Sequence, residues 1–337
     1  MRQPSSSTQS ASRRAATDAF AGALAGAIAR TAVAPIDRIK LLRQLRGSIT
    51  FPLSSSASAA PQPSSISNSK TALELLRSIV REEGLLSLWR GNSPTIFIEA
   101  GSSALNFVLL NAYKDASSHA LEGLAERFPT IRADGASGDK KRRFLRSFVS
   151  GGLAGATTIT FLYPLAFMRT RLAVDVGVAS KGERRFPKGM RDVVKTIWTS
   201  NGLRGFYKGY GIALVSVSLH RVVYLGGYDF IKSDYAATKG ETMPEMPVSE
   251  RFAAAQFVSM SASTVHYPLD SVRRRLMMEA GRSEEEQIYR HTFHCFRKIW
   301  AEEGVSGFYR GLGPNLARCI GSAVCLVAYD EIKKLLN

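Results

Sequence analysis

Asp37 and Lys40 lie three residues apart, just behind Pro35. The spacing returns as Asp270 and Arg273 behind Pro268, and as Ala166 and Arg169 behind Pro164, where the acid is missing. On a helix this spacing puts both groups on one face, and an intrahelical ion pair is the simplest chemistry open to them. The alternative is that three such helices converge, each acid pairing with the base of a neighbour to close a ring. A charge in a membrane costs about 2.5–3.5 kcal/mol on insertion scales. Such charges need partners or water, and a ring that forms and breaks is a gate.

A second set of charges carries the same spacing: Asp229 with Lys232, and Asp330 with Lys333. Its first counterpart is Asn111 with Lys114, an amide in place of the acid. Two rings at opposite ends of a cavity give alternating access, since only one need be closed at a time. Covalent chemistry is not indicated: no Ser/His/Asp set, metal-ligand spacing or phosphate loop is present. Glu99 has no second group at usable spacing. Cys295, Cys319 and Cys325 are isolated, with no Cys-x-x-Cys pair and no readable disulfide framework. The expectation is no enzyme, no cofactor and no metal.

The elements that must position these charges repeat as well. Each proline motif is followed by an aromatic-basic-Gly block: Trp89-Arg90-Gly91, Tyr207-Lys208-Gly209 and Tyr309-Arg310-Gly311. A tripled unit of roughly 100 residues overrides the reading of a 337-residue chain as two or three unrelated domains. Six segments are long enough to span a bilayer: 18–45, 92–114, 145–174, 210–232, 249–279 and 312–335. All are rich in small residues and carry polar groups at helical spacing, which fits helices with one face on lipid and one on water. A soluble six-helix bundle is the competing reading.

Gly22 and Gly26, and Gly151 and Gly155, favour the membrane, because small faces let helices approach closely there. So do the three prolines, read as matched kinks. Amphipathic stretches at 71–82, 187–200 and 290–302 read as short helices lying on the membrane surface. The expected fold is therefore all-α and membrane-embedded, with six transmembrane helices in three pseudo-symmetric repeats around a central cavity and three short surface helices. The repeats are 18–115, 145–235 and 249–337, with a low-complexity loop at 46–70. Polar linkers fall at 116–144 and 236–248. Residues 1–17, Arg- and Ser-containing and free of acid, read as a disordered tail or a weak organelle-targeting segment.

Lys and Arg number 45 against 28 Asp and Glu, a net charge of +17. That excess implies anionic partners. No zinc spacing, RNP-like strand or zipper heptad is present, so anionic lipid or an acidic small solute fits better than nucleic acid.

These strings resemble the mitochondrial carrier family across 18–337, and within it the ADP/ATP carriers. The likeness rests on Thr31-Ala32-Val33-Ala34-Pro35-Ile36-Asp37-Arg38-Ile39-Lys40-Leu41-Leu42, on Leu88-Trp89-Arg90-Gly91-Asn92, and on Tyr163-Pro164-Leu165-Ala166-Phe167-Met168-Arg169-Thr170-Arg171-Leu172. Arg273-Arg274-Arg275-Leu276-Met277-Met278 resembles the nucleotide carriers' arginine-triplet signature, with Leu276 its one changed position. The resemblance implies a multi-pass, monomeric antiporter of the mitochondrial inner membrane, exchanging adenine nucleotides and touching membrane lipids, cardiolipin among them. It implies a matrix gate of Asp37, Lys40, Gln44, Arg169, Asp270 and Arg273, Gln44 bracing a pair. It implies a cytoplasmic gate of Lys114, Asp229, Lys232, Asp330 and Lys333. Substrate positions fall on Arg30, Ser216, Val217, Arg221, Tyr224, Arg274 and Arg318. Arginines suit a polyphosphate through charge-assisted hydrogen bonds.

The chain departs from that pattern at Ile98, where an arginine is expected beside Glu99. It departs again at His220 (for a tyrosine) and His266 (for a serine). Those four residues are the candidates for altered specificity. They motivate a second reading, another anionic cargo such as coenzyme A or another adenosine phosphate. The missing acids at Ala166 and Asn111 motivate a third: a weakly gated carrier acting as a proton leak or interaction protein.

Overall fold

The computed structural model describes residues 26–46, 71–102, 104–105, 108–109, 112–113, 136–176, 184–239, 247–283 and 285–320. All regular structure among them is helical. In chain order the elements are α1 (26–44), α2 (Ala72–Glu83), a 3-10 helix (Leu85–Trp89), α3 (92–102) and α4 (Ala136–Ala173). There follow α5 (Met190–Phe206), α6 (Tyr210–Lys239), α7 (Val248–Met278), α8 (Thr292–Phe308) and α9 (312–320). The tail 1–17, most of the loop 46–70 and residues 321–335 of the sixth segment lie outside the described residues.

Two boundaries correct the sequence reading. Helix α4 starts at Ala136, so residues 136–144 of the expected linker are helical. Helix α6 runs on to Lys239, taking the first residues of the other linker. Both extensions are free of proline and rich in Lys, Arg or Ala, which propagate a helix that packing has already nucleated. Charge alone was the linker signal, and charge does not stop a helix. Helices α1, α4 and α7 continue through Pro35, Pro164 and Pro268.

Helix α2 opens on a capping box. Thr71 Oγ1 accepts from the Glu74 backbone N–H at 3.1 Å, and Glu74 accepts from Thr71 N at 3.3 Å. Helices α5 and α8 run past the expected ends at 200 and 302, but each turns at a glycine, Gly202 (φ 59°) and Gly304 (φ 64°). Gly84 (φ 85°) holds the matching place after α2. A Cβ is strained at positive φ, so one glycine makes the same corner three times.

The chain forms two compact units, Met1–Ala27 with Ile96–Leu165, and Ile28–Thr95 with Ala166–Asn337. In the first, Gly26 faces Glu99 and Gly101 faces Leu162, where an added Cβ would meet side-chain carbon at 3.3 and 3.1 Å. Tyr113 Oη and Thr157 Oγ1 lie 2.9 Å apart. In the second, Ile39, Leu42 and Leu45 of α1 join Leu75 and Ile79 of α2 in one apolar cluster. Val272 and Leu276 of α7 join Cys295, Ile299 and Phe308 of α8 in another. Helix α6 packs along α7. Among the described residues, no helix is long and apolar enough to cross a membrane.

Candidate functional site

Within the second unit, α1, α4, α7 and α9 bring charges from all three proline motifs together. Asp37 pairs with Arg169, and its Oδ1 lies 3.5 Å from Arg318 Nε. Asp270 Oδ2 accepts from Arg274 Nε at 2.9 Å and Gln44 Nε2 at 3.2 Å, with Lys40 Nζ at 3.5 Å. Both carboxylates are buried, as is Lys40. Gln44 reaches Ser271 Oγ as well, at 3.0 Å, so its amide ties α1 to α7. Two cross-helix pairs of the expected matrix set are therefore formed, Asp37–Arg169 and Asp270–Lys40. The third has no acid: at Ala166 the backbone carbonyl accepts from Thr170 Oγ1 at 3.0 Å, and Thr170 accepts from Arg274 at 3.3 Å. Arg273 is half-buried.

Of the expected substrate positions, Arg274 lies on Asp270 and Arg318 on Asp37, and Arg318 also reaches Asn315 at 3.4 Å. Arg30, Val217 and Tyr224 are half-buried and Arg221 is exposed. Ser216 is 2% exposed, in the interior and not on a solvent-facing wall. Tyr224 stacks on His220 at 6.3 Å between centroids, and His220 meets His266 with Nδ1 atoms 3.2 Å apart. Ile98 and Glu99 belong to the first unit, both half-buried. Asp229 and Lys232 are exposed on α6. Lys114, Asp330, Lys333 and Asn111 lie outside the described residues.

A second tier of polar contacts was not anticipated from the sequence. Arg38 donates to Ala173 O at 3.1 Å, Ser87 O at 2.6 Å and Glu83 Oε2 at 2.8 Å. Arg275 grips Glu303 in bidentate fashion at 2.6 and 2.8 Å, and touches Tyr289 Oη at 3.2 Å. Arg310 holds the same carboxylate at 2.7 Å. Both anchors reach the acid of an acid-Gly pair, Glu83-Gly84 or Glu303-Gly304. That repeated dipeptide was the available signal. The matching Asn201-Gly202 uses a neutral link, Asn201 Oδ1 accepting from Gly281 N, while Arg171 donates to Ala280 O. Asp175 accepts from Arg90 and from the backbone N–H groups of Arg185 and Phe186, each at 3.1 Å.

Outside the long helices, burial pushes the Glu303 carboxyl up, but the hydrogen bonds and charge of Arg275, with Arg310, bring it below its ordinary value. Burial pushes the Cys295 thiol up to about 12.

The arrangement sets Lys40, Arg169, Arg274 and Arg318 around two buried carboxylates, a charge pattern that could exchange ion-pair partners. The family model described as Mitochondrial carrier protein matches residues 12–120, 140–238 and 244–337. The chain belongs to the mitochondrial carrier family. Among curated members it is 38% identical to ADP/ATP translocase 4 of Mus musculus over 323 residues, covering 95% of this chain and 90% of that one. It is 38% identical to a probable ADP,ATP carrier protein of Arabidopsis thaliana over 320 residues, covering 95% and 89%. ADP/ATP translocase 3 of Bos taurus matches at 38% over 325 residues, covering 95% and 97%. In this carrier each of the three matched stretches contains one proline motif and one aromatic-basic-Gly block.

Proposed function

We propose that this carrier is a multi-pass antiporter of the mitochondrial inner membrane, exchanging adenine nucleotides by alternating access. The names of its relatives point to that cargo. One observation carries the reading further. The two arginines matched to phosphate-holding positions, Arg274 and Arg318, are each engaged by a gate acid, Asp270 and Asp37. A polyphosphate offers the guanidiniums more charge than a carboxylate does, so its arrival draws them away and loosens the gate from within. Residues 18–115, 145–235 and 249–337 act as three similar gate parts. Their spanning helices bury polar faces on a wet cavity, so none needs to be apolar all round.

The test is uptake of labelled ADP and ATP into liposomes that hold the purified protein and are preloaded with nucleotide. Exchange above the level of unloaded proteoliposomes supports the reading, and its absence removes it. A second reading keeps the carrier and changes the cargo. It is favoured by the His220–His266 contact, which stands where the family pattern expects a tyrosine and a serine. A thermal-shift panel decides, because a ligand selective for the folded state raises apparent stability. Coenzyme A shifting the melting temperature further than ADP or ATP favours the second reading; the reverse retires it.

A further inference from the structure

His220 of α6 and His266 of α7 face each other, their Nδ1 atoms 3.2 Å apart and ring centroids 4.7 Å apart at 78°. Nδ1 of His266 is also 2.8 Å from the carbonyl oxygen of Ala262. A carbonyl only accepts, so this nitrogen carries a proton. It shares that N–H with Nδ1 of His220, which therefore holds a lone pair. In the neutral pair the other proton of His220 sits on Nε2, and Nε2 of His266 is a bare acceptor. Both rings are half-buried.

We propose that this pair is a one-proton site that loads together with the anionic cargo. The first proton goes to Nε2 of His266. That leaves both Nδ1 contacts in place and turns the shared N–H into a charge-assisted donor. A second proton belongs on Nδ1 of His220 and sets two N–H groups against one another, so the rings titrate as a unit that takes up one proton before it resists another. The charged groups around them are Arg221 on α6, Asp270 and Arg274 on α7, Lys40 on α1 and Arg318 on α9. Asp270 favours the proton and the four cations oppose it. A polyanion that engages Arg274 and Arg318 neutralises much of that opposition. Proton and polyanion then strengthen each other's binding by the same factor, as linkage requires. The inference rests on the nucleotide reading and adds a proton to its cargo.

Calorimetric titration of the purified full-length protein with ATP, in two buffers of different ionisation heat, counts the protons taken up on binding. The comparison is His266→Asn, whose amide N–H takes the place of Nδ1–H but accepts no proton; the protonation of ATP itself cancels between the two proteins. Wild type should take up more protons per ATP than the variant at pH 6, by up to about one, and no more than the variant at pH 8. Its ATP affinity should fall about threefold from pH 6 to 7.5, against under twofold in the variant. Equal proton counts overturn the proton site and leave the nucleotide reading standing. Absence of ATP binding at every pH overturns both. If His266→Asn loses its helical circular dichroism, His266→Ser, the residue that the family pattern expects there, replaces it, and an unchanged proton count there equally overturns the proposal.

Discussion

The first and third matched stretches hold their corners with ion pairs, and the second does so with hydrogen bonds to backbone groups. Arg38–Glu83 and Arg275–Glu303 are buried ion pairs, whereas the second stretch has Asn201 on a backbone N–H and Arg171 on a backbone carbonyl. The same stretch lacks the acid of the proline motif, with Ala166 where the others carry Asp37 and Asp270. Both losses remove negative charge from one third of the molecule. Buried pairs cost desolvation to form and more to break from one side, while hydrogen bonds to backbone groups contribute about 1 kcal/mol each, or about 1.5–3 where a guanidinium donates. The difference therefore lies less in average strength than in how sharply each stretch responds to losing one partner.

The steepest break should come from Arg275→Ala, which leaves Glu303 with Arg310 alone. It should cost about 3–5 kcal/mol, read as a lowered melting temperature, while Arg171→Ala costs about 1–3 kcal/mol. Equal losses would erase the contrast between paired and backbone-bonded corners. Next in size, Asp270→Asn strips Lys40 and Arg274 of their carboxylate, and nucleotide uptake should fall at least about tenfold, the equivalent of 1.4 kcal/mol or more. Ala166→Asp tests the comparison from the other side. Supplying the absent acid should raise the melting temperature by the equivalent of about 1 kcal/mol and, on the proposed gating, slow exchange, because the charge cluster gains a pair. A faster, unstabilised variant would mean that no base waits there.

Acid sharpens the contrast further. The Glu303 carboxyl is held below its ordinary value, so its contribution is complete above about pH 4.5 and fades as pH falls through the lower, folded value. Wild type should therefore lose more stability than Glu303→Gln on acidification below pH 4.5, as followed by thermal melts. Least of all in energy, Cys295, with its thiol pushed up to about 12, should resist iodoacetamide at pH 8 until the protein unfolds.

The charges that pair at the proline motifs were legible because proline marks them and acid and base recur three apart. Gln44 was legible only by resemblance, since a lone amide carries no spacing of its own. The anchors were harder to see. Arg38 follows Pro35 directly within the motif, while Arg275 comes one helical turn further on, and a fixed offset from proline misses one of them. Spacing by whole turns keeps both on the same helix face, which becomes visible only once each guanidinium has its glutamate. Helix ends were misread where charge was equated with loop, as at residues 136–144. The corners at Gly202 and Gly304 follow from φ, and glycine in a sequence does not say which sign it takes.

Arg38 bears on how the protein is made. Its acceptors at Glu83 and Ser87 are in the chain early, but the carbonyl of Ala173 follows 135 residues after the arginine itself. While the ribosome is still working toward that carbonyl, the guanidinium lacks one of its three acceptors, and the first third of the carrier stays unfinished until the second delivers it.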